Sequence, residues 1–489
     1  MRLFKSAIAH QINASQIRRK HNMRIYLTTI LVILLLLLSG CGAVYEKLKC
    51  GFRFGDDRGD IVLTNCHRLS DRGQLFAEVA WTYFEKNYNP QTGLVNAAEN
   101  YPYTSIGEIA GYLSALISAH EMDILDERRF CQRVGKLVEW LNAMELYAGE
   151  LPNLIYNSHT GRMVGFDMKP GKAGFSSMDI GRLLIWLRVL KTKYPLFAEG
   201  VDRAVLRWNF CMVIDKDDTL RSGRFVNGRT EFIHEGRLGW EGYAARGYEM
   251  WGVNVKSTVP SPLRYIEIYG HKIPYDPRDS ITTGVPVYLT STPFLLEGME
   301  FGYTKIGMPE EHRTGDDALE RGKLARGIYE IQEERYRREG IMTARSENGV
   351  DKPPYAVIGT ITAEGKLWPT ISRGGEMHYD LAMFSTRAIF GMWAIWNTNY
   401  TRFIMAAAAC CFFEEGRGWF EGRYEKNWRI NKVMVLETNA VVLEALLHRL
   451  DGPLVRVAKE PSYIDFYLRK ELPMSDFPRC LPGREREDL

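Results

Sequence analysis

The sequence has little cysteine and no arrangement of it that suits a metal. Its 489 residues hold eight cysteines, none spaced Cys-x-x-Cys, which argues against a metal-thiolate site. There is no His-Glu-x-x-His helix, no Gly-x-x-x-x-Gly-Lys loop and no Gly-x-Ser-x-Gly elbow, so zinc-peptidase, phosphate-cradling and serine-hydrolase chemistries lack their usual scaffolds. Acidic side chains are missing altogether from residues 1–40, which carry six basic ones (Arg2, Lys5, Arg18, Arg19, Lys20 and Arg24). Without that segment the net charge of +3 becomes −3, and no basic patch remains to neutralise phosphates. Nucleic acid is therefore not an expected partner.

The apolar run Ile25–Leu38 is shorter than the roughly 20 residues a spanning helix needs. It follows a basic flank and runs into small residues, the layout of an export signal. Its end, Leu38-Ser39-Gly40-Cys41, resembles the lipobox of bacterial lipoproteins, which implies cleavage before Cys41, lipid on that cysteine and a membrane anchor. Met23 begins a signal of ordinary length and is the expected start of translation. Gly42 stands where an aspartate would mark inner-membrane retention, so the outer membrane is the expected site in a two-membraned cell. Residues 41–70 read as a tether, and 456–489 as a C-terminal extension ending in a charged tail. Cys50–Cys66, or a pairing to Cys480, would suit an oxidising compartment.

The 71–455 stretch reads as one helical unit. Phe76, Val79, Ala80, Tyr83 and Phe84 recur at helical spacing, as do Ile109, Leu113, Leu116 and Ile117. Further stripes start at Phe130, Ile180 and Leu443, and helices are expected over 197–213, 240–251, 290–301, 317–338, 385–397 and 402–413. The loops between them are long, notably 148–176, 214–239, 253–289 and 345–380, and such loops inside a compact unit usually serve function. Residues 355–362 predict a short strand. This pattern fits either a ring of helix hairpins or an α-solenoid.

Three segments narrow the choice: Glu235-Gly-Arg-Leu-Gly-Trp-Glu-Gly-Tyr-Ala-Ala, Thr290-Ser-Thr-Pro-Phe-Leu-Leu-Glu-Gly-Met-Glu-Phe-Gly and Gly418-Trp-Phe-Glu-Gly-Arg-Tyr-Glu. Together with Leu151-Pro-Asn-Leu-Ile-Tyr-Asn and Met178-Asp-Ile-Gly-Arg-Leu, they resemble a bacterial glucoamylase-like family of unknown function, from about Phe76 to His448. The resemblance implies an all-α (α/α)6 toroid of helix hairpins, with long loops and a few short strands on one face. Two places depart from the family's pattern: Gly107-Glu108 replaces an aromatic-acidic pair near Thr104-Ser105, and Glu437-Thr438-Asn439 replaces Asn-Thr-Asn.

Glycoside cleavage takes two carboxyl groups across a cleft. Glu235, in a glycine-flanked loop, is the first candidate for general acid; its structural alternative is a helix-start carboxylate paired with Arg237. Glu297, an acid among apolar neighbours, suits either a cleft or a buried salt bridge; Glu300 and Glu241 read more as structural residues. Asp179 begins an apolar helix, as ordinary N-terminal acids do, and Glu421 sits in an open aromatic loop. Sugar rings want aromatic platforms and polar holders, for which Trp240, Tyr243, Trp251, Trp368, Trp419 and Tyr156, with Asn153, Asn157 and Arg237, are the candidates. Glu376, His378 and Asp380 lack a known ligand spacing, so no metal is expected, and the chemistry requires no cofactor. The resulting expectation is a membrane-anchored glycoside hydrolase or transglycosylase acting on a β-glucan or another envelope polysaccharide. Its rival is a non-catalytic lipoprotein that binds glycan during export or assembly.

Overall fold

The computed structural model of the chain describes residues 68–253, 255–256, 262–304 and 316–456. The expected signal, Cys41, all but the last residues of the tether and nearly all of the C-terminal extension lie outside them.

Eleven helices of eight or more residues are present among the described residues: α1 (Asp71–Asn87), α2 (Ile106–Glu121), α3 (Glu127–Ala143), α4 (Ser177–Lys193), α5 (Ala198–Val205), α6 (Trp240–Glu249), α7 (Thr292–Phe301), α8 (Asp316–Glu339), α9 (Thr386–Ile395), α10 (Asn399–Cys411) and α11 (Leu436–Asp451). Side-chain caps fix several starts. Ser70, Asp126 and Ser176 accept from the backbone N–H three residues on, and Ser105 with Glu108 closes a reciprocal capping box on α2.

Six helices form a closed cycle: α2 packs on α4, α4 on α6, α6 on α7, α7 on α9, α9 on α11, and α11 back on α2. Their sequences explain why they sit inside. All ten residues of α7 are buried, and α4 is buried from Ser177 to Lys191 at every position except Asp179. A helix apolar on all sides needs neighbours on all sides. The tightest contact is α4 on α6, where a Cβ on Gly181 would lie 2.6 Å from the Ala244 carbonyl oxygen, so only glycine permits this approach.

Around the cycle, α1 lies on α11, α3 on α2, α5 on α4, α8 on α7 and α10 on α9. Between α6 and α7 the chain supplies an antiparallel hairpin, 264–268 with 271–275, which packs on α8. An outer helix therefore precedes an inner one at five of six places.

The helix expected over 197–213 stops at Val205. The Arg207 guanidinium donates to the carbonyls of Leu141, Asn142 and Met144 at 2.6–3.0 Å, closing the end of α3, and that role pulls the chain off the helical path. The strand expected over 355–362 forms at 356–359. Cys211 and Cys410 are disulfide-bonded, whereas Cys131 is a free thiol.

Short strands enter most inner helices directly. Residues 104–105 pair with 155–156, 174–175 join 222–226 and 229–233, 237–238 run parallel to 288–289, and 383–385 pair with 422–424. The segments preceding different inner helices are thus tied together at one face, where the helix N-termini gather.

Candidate active site

That face collects acids. Glu108 opens α2, Asp179 opens α4, Glu437 opens α11, Arg237 begins the short strand before α6, and Glu235 lies in the loop just ahead of it. Helix N-termini carry partial positive charge and unpaired N–H groups, which favours carboxylates there.

Arg237 organises the group. Its Nη1 donates to Glu235 Oε2 at 2.7 Å and lies 3.6 Å from Asp179 Oδ1, so one guanidinium nitrogen faces both carboxyls. Glu235 Oε1 also accepts from the hydroxyls of Ser176, at 2.7 Å, and Ser222. Ser176 is the N-cap of α4 as well, so a single hydroxyl links the start of that helix to the carboxylate. The side chains of Glu235, Asp179 and Arg237 retain 12%, 17% and 20% exposure, enough to be reached from the loop face.

Burial dominates the electrostatics of the neighbouring acids. It pushes the Asp179 carboxyl above the usual carboxylate range, with Arg237 opposing and Glu235 adding. Glu108 is pushed up to about 7, first by burial and then by Glu437, with Arg373 opposing. Glu241 is pushed up to about 8 by burial, under the influence of Arg237, Glu235 and Asp276. The site thus sets one carboxyl with a strengthened hold on its proton beside another fixed by three donors, a division of labour that acid–base chemistry needs.

Of the expected platforms, Trp240 stands at the site. The Arg237 guanidinium covers its ring at 4.5 Å, and its Nε1–H donates to Glu347 at 3.2 Å. Glu347 also accepts from the Thr292 hydroxyl. Tyr288, Tyr103 and the exposed Arg373 complete the surroundings, all within electrostatic reach of these acids. Arg373 is exposed and close enough to Glu108 and Asp179 to act on both electrostatically.

Other candidates lie elsewhere. Glu297 is wholly buried between α6, α7 and α8, where Arg246 donates to it at 2.7 Å and Arg321 Nε at 2.7 and 2.8 Å; with every acceptor lobe engaged, it is a packing clamp and faces no cleft. Glu300 is buried too and accepts from Tyr243 and Trp186. Glu421 is likewise sealed in, accepting from Gly349 N at 2.7 Å, Asn348 and Thr438, and so ties α11 to the strand at 347–349. Tyr243, Trp251, Trp419 and Tyr156 are fully buried, with their polar atoms bonded to Glu300 or to the carbonyls of Leu184, Phe76 and Glu145. Asn153 spends its amide on the backbone of Ile155, Val164, Ala173 and Gly174, and Asn157 closes a turn over His159 and Thr160. Trp368 packs against the core under Arg335. Large aromatics beside glycine-rich loops here serve the core, because a ring of helices needs bulky filling near its ends as well as at its centre.

Glu108, Glu347, Glu437, Tyr103, Tyr288 and Arg373 are the site residues that the sequence motifs did not nominate. Two of them, Glu108 and Glu437, stand where the sequence departs from the glucoamylase-like pattern, and that departure is the signal that pointed to them.

A family model described as "Protein of unknown function (DUF3131)" matches residues 75–452. The chain belongs to this family. No curated protein matches the sequence. Among solved structures, the DUF3131 chain is similar to an endo-β-1,2-glucanase from Chitinophaga pinensis in complex with sophorotriose and glucose, at 12% identity and a TM-score of 0.57, over 79% of this chain and 94% of that one. A β-1,2-glucanase from Parabacteroides distasonis matches at 10% identity and a TM-score of 0.54, over 79% and 58% of the two chains. An endo-β-1,2-glucanase from Talaromyces funiculosus with sophorose matches at 10% identity and a TM-score of 0.51, over 82% and 86%. At these identities the likeness is one of fold.

Proposed function

We propose that the closed helical ring is an (α/α)6 toroid bearing a glycoside hydrolase or transglycosylase site, and that its substrate is a β-glucan or another envelope or extracellular polysaccharide. The observation that carries this reading is the placing of Asp179 and Glu235 on one nitrogen of Arg237, at the end of the ring where the loops converge. Fold-mates that act on β-1,2-glucan make linear β-1,2-glucan the first substrate to try.

In this reading Asp179 delivers its proton to the glycosidic oxygen, which takes the electron pair of the breaking C–O bond. Glu235 is the second carboxylate, stabilising positive charge at the anomeric carbon and receiving the proton of the incoming water or sugar hydroxyl. The sequence motifs favoured Glu235 as the acid; its three donors suit the carboxylate role, and the proton falls to Asp179. Trp240 offers an apolar face to a sugar ring, and Arg373 and Glu347 can hold hydroxyls. Purified protein incubated with linear β-1,2-glucan and a panel of other glucans should release new reducing ends, and Asp179→Asn or Glu235→Gln should abolish them. Turnover that survives both substitutions would overturn the reading, and glycan binding without turnover in the wild type would favour a glycan-holding role instead.

We also propose that the enzyme is exported and lipid-anchored through Cys41. The Leu-Ser-Gly-Cys ending supports this, as do disulfides at Cys211 and Cys410, which form and persist in oxidising compartments. Cys41→Ala should abolish incorporation of labelled fatty acid into the protein and leave the signal uncleaved; labelling that survives the substitution would exclude the anchor at Cys41.

A further inference from the structure

Beside the proposed acid, α2 has no side chains over one turn of its inner face. Gly107 and Gly111 are four residues apart and therefore stacked on that face. A Cβ on Gly107 would sit 3.2 Å from Asp179 Cγ, and one on Gly111 would sit 2.7 Å from Glu437 Oε1. The two glycines form a notch that seats the carboxyls of two different helices next to each other. Glu437 is anchored from below: its Oε2 accepts from Arg182 Nη1 at 2.5 Å, while Arg182 Nη2 lies 3.6 Å from Glu444, which accepts from the Ser114 hydroxyl. Arg182 and Glu444 are buried, so this support has little freedom to move. Glu437 Oε1, the oxygen nearest Gly111, is buried and makes no hydrogen bond, so it is held in place through Oε2 and the packing of the notch.

We propose that Glu437 is a positioning residue of the reaction: held by Arg182 and seated in the Gly107/Gly111 notch, its fixed negative charge keeps the proton on Asp179 until the glycosidic oxygen takes it. The inference rests on the reading of Asp179 as proton donor. The charged groups facing Asp179 are Arg237 and Glu235 from the segment before α6, Arg373 from the loop at 372–375, Glu108 from α2 and Glu437 from α11. Arg237 and Arg373 draw the proton away, Glu235 and Glu437 retain it, and Glu108, itself pushed up to about 7, joins them only once it ionises.

The test is the pH dependence of kcat/KM on linear β-1,2-glucan for the wild type, Glu437→Gln and Gly111→Ala, together with the Tm of each. Glu437→Gln should move the alkaline limb down by about half a pH unit, with about a threefold loss of rate on that limb and the acid side retained. Gly111→Ala leaves every charge in place and ordinarily favours a helix. Its methyl group must displace Glu437, so it should shift the same limb in the same direction without a matching fall in Tm. An unmoved alkaline limb in both variants, with or without a lower Tm, would overturn the inference and leave Glu437 a structural residue. A wild type that neither cleaves nor binds any glucan would overturn the underlying reading, and this inference with it.

Discussion

Two clusters in this molecule each hold a glutamate with arginine, and they do opposite things. Glu297 is itself fully buried where it meets Arg246 and the partly exposed Arg321 at the junction of α6, α7 and α8, and the two guanidiniums hold its carboxyl below the usual range despite burial. Glu235 and Asp179 share one arginine at the loop face, and burial with a neighbouring carboxylate pushes Asp179 up. The ratio of cations to carboxyls separates them: two to one in the clamp, one to two at the mouth. An excess of cation makes a carboxylate inert and structural, whereas a shortage, with an opening to solvent, leaves a proton that can be moved. Acid residues in apolar sequence are thus not interchangeable candidates, and the count of facing arginines ranks them.

The comparison breaks most directly by swapping readouts. Asp179→Asn or Glu235→Gln should lower kcat by about a thousandfold or more, while Tm changes by only a few degrees, measured by reducing-end release and thermal unfolding. Next in size, Glu297→Gln leaves the buried Arg246 guanidinium and the partly exposed Arg321 with one neutral partner and should cost about 3 kcal/mol of stability by denaturant titration, with the activity of the remaining folded fraction near wild type. A catalytic loss without destabilisation in Glu297→Gln would reverse the assignment of the two clusters.

A smaller and sharper contrast lies in pH. Glu108 has a folded pKa raised to about 7, so the folded state holds more protons than the unfolded one between roughly pH 4.5 and 7, and stability falls as pH rises through that window. Glu297 is lowered, so its contribution is present above the unfolded carboxylate range and is lost as pH falls through the folded value. Relative to the wild type, Glu108→Gln should therefore gain up to about 3 kcal/mol between pH 5 and pH 8, since glutamine at that position still closes the capping box while carrying no titratable group. Denaturant midpoints at both pH values, with parallel curves for the two proteins as the contrary result, decide it.

The helices were legible because periodicity marks them strongly, and the inner ones announce themselves by being apolar on every face, as α7 does, whereas closure into a ring was not, since the same pattern suits a solenoid. The end of α5 was not, since Arg207 leaves the helix to serve carbonyls about 65 residues earlier, a partner no local window contains. At the site, Glu235, Asp179, Arg237 and Trp240 were legible as motif residues. Glu297 and Glu421 looked equally good, because their saturating donors, Arg321, Asn348 and Thr438, come from elements far along the chain. Glu108 and Glu437 were visible only as departures from a pattern, and their meaning depends on ring closure, which brings α2 and α11 together.

The smallest expected effect tests whether Trp240 belongs to the mouth or, like Tyr243 one turn on, to the core. Trp240 is 6% exposed and its Nε1–H reaches Glu347, whereas Tyr243 is sealed and serves Glu300. Trp240→Phe keeps an aromatic ring but removes the donor to Glu347, a loss of about 1 kcal/mol. If the ring lies along the substrate path, that loss should appear as a several-fold rise in KM with kcat and Tm little changed, because Glu347 still has the Thr292 hydroxyl and the ring still packs under Arg237. Tyr243→Phe, by contrast, strips a donor from an enclosed carboxyl and should lower Tm with KM unmoved. Matching responses in the two variants would place Trp240 in the core and leave the mouth with Tyr103 and Tyr288 as its aromatic surfaces.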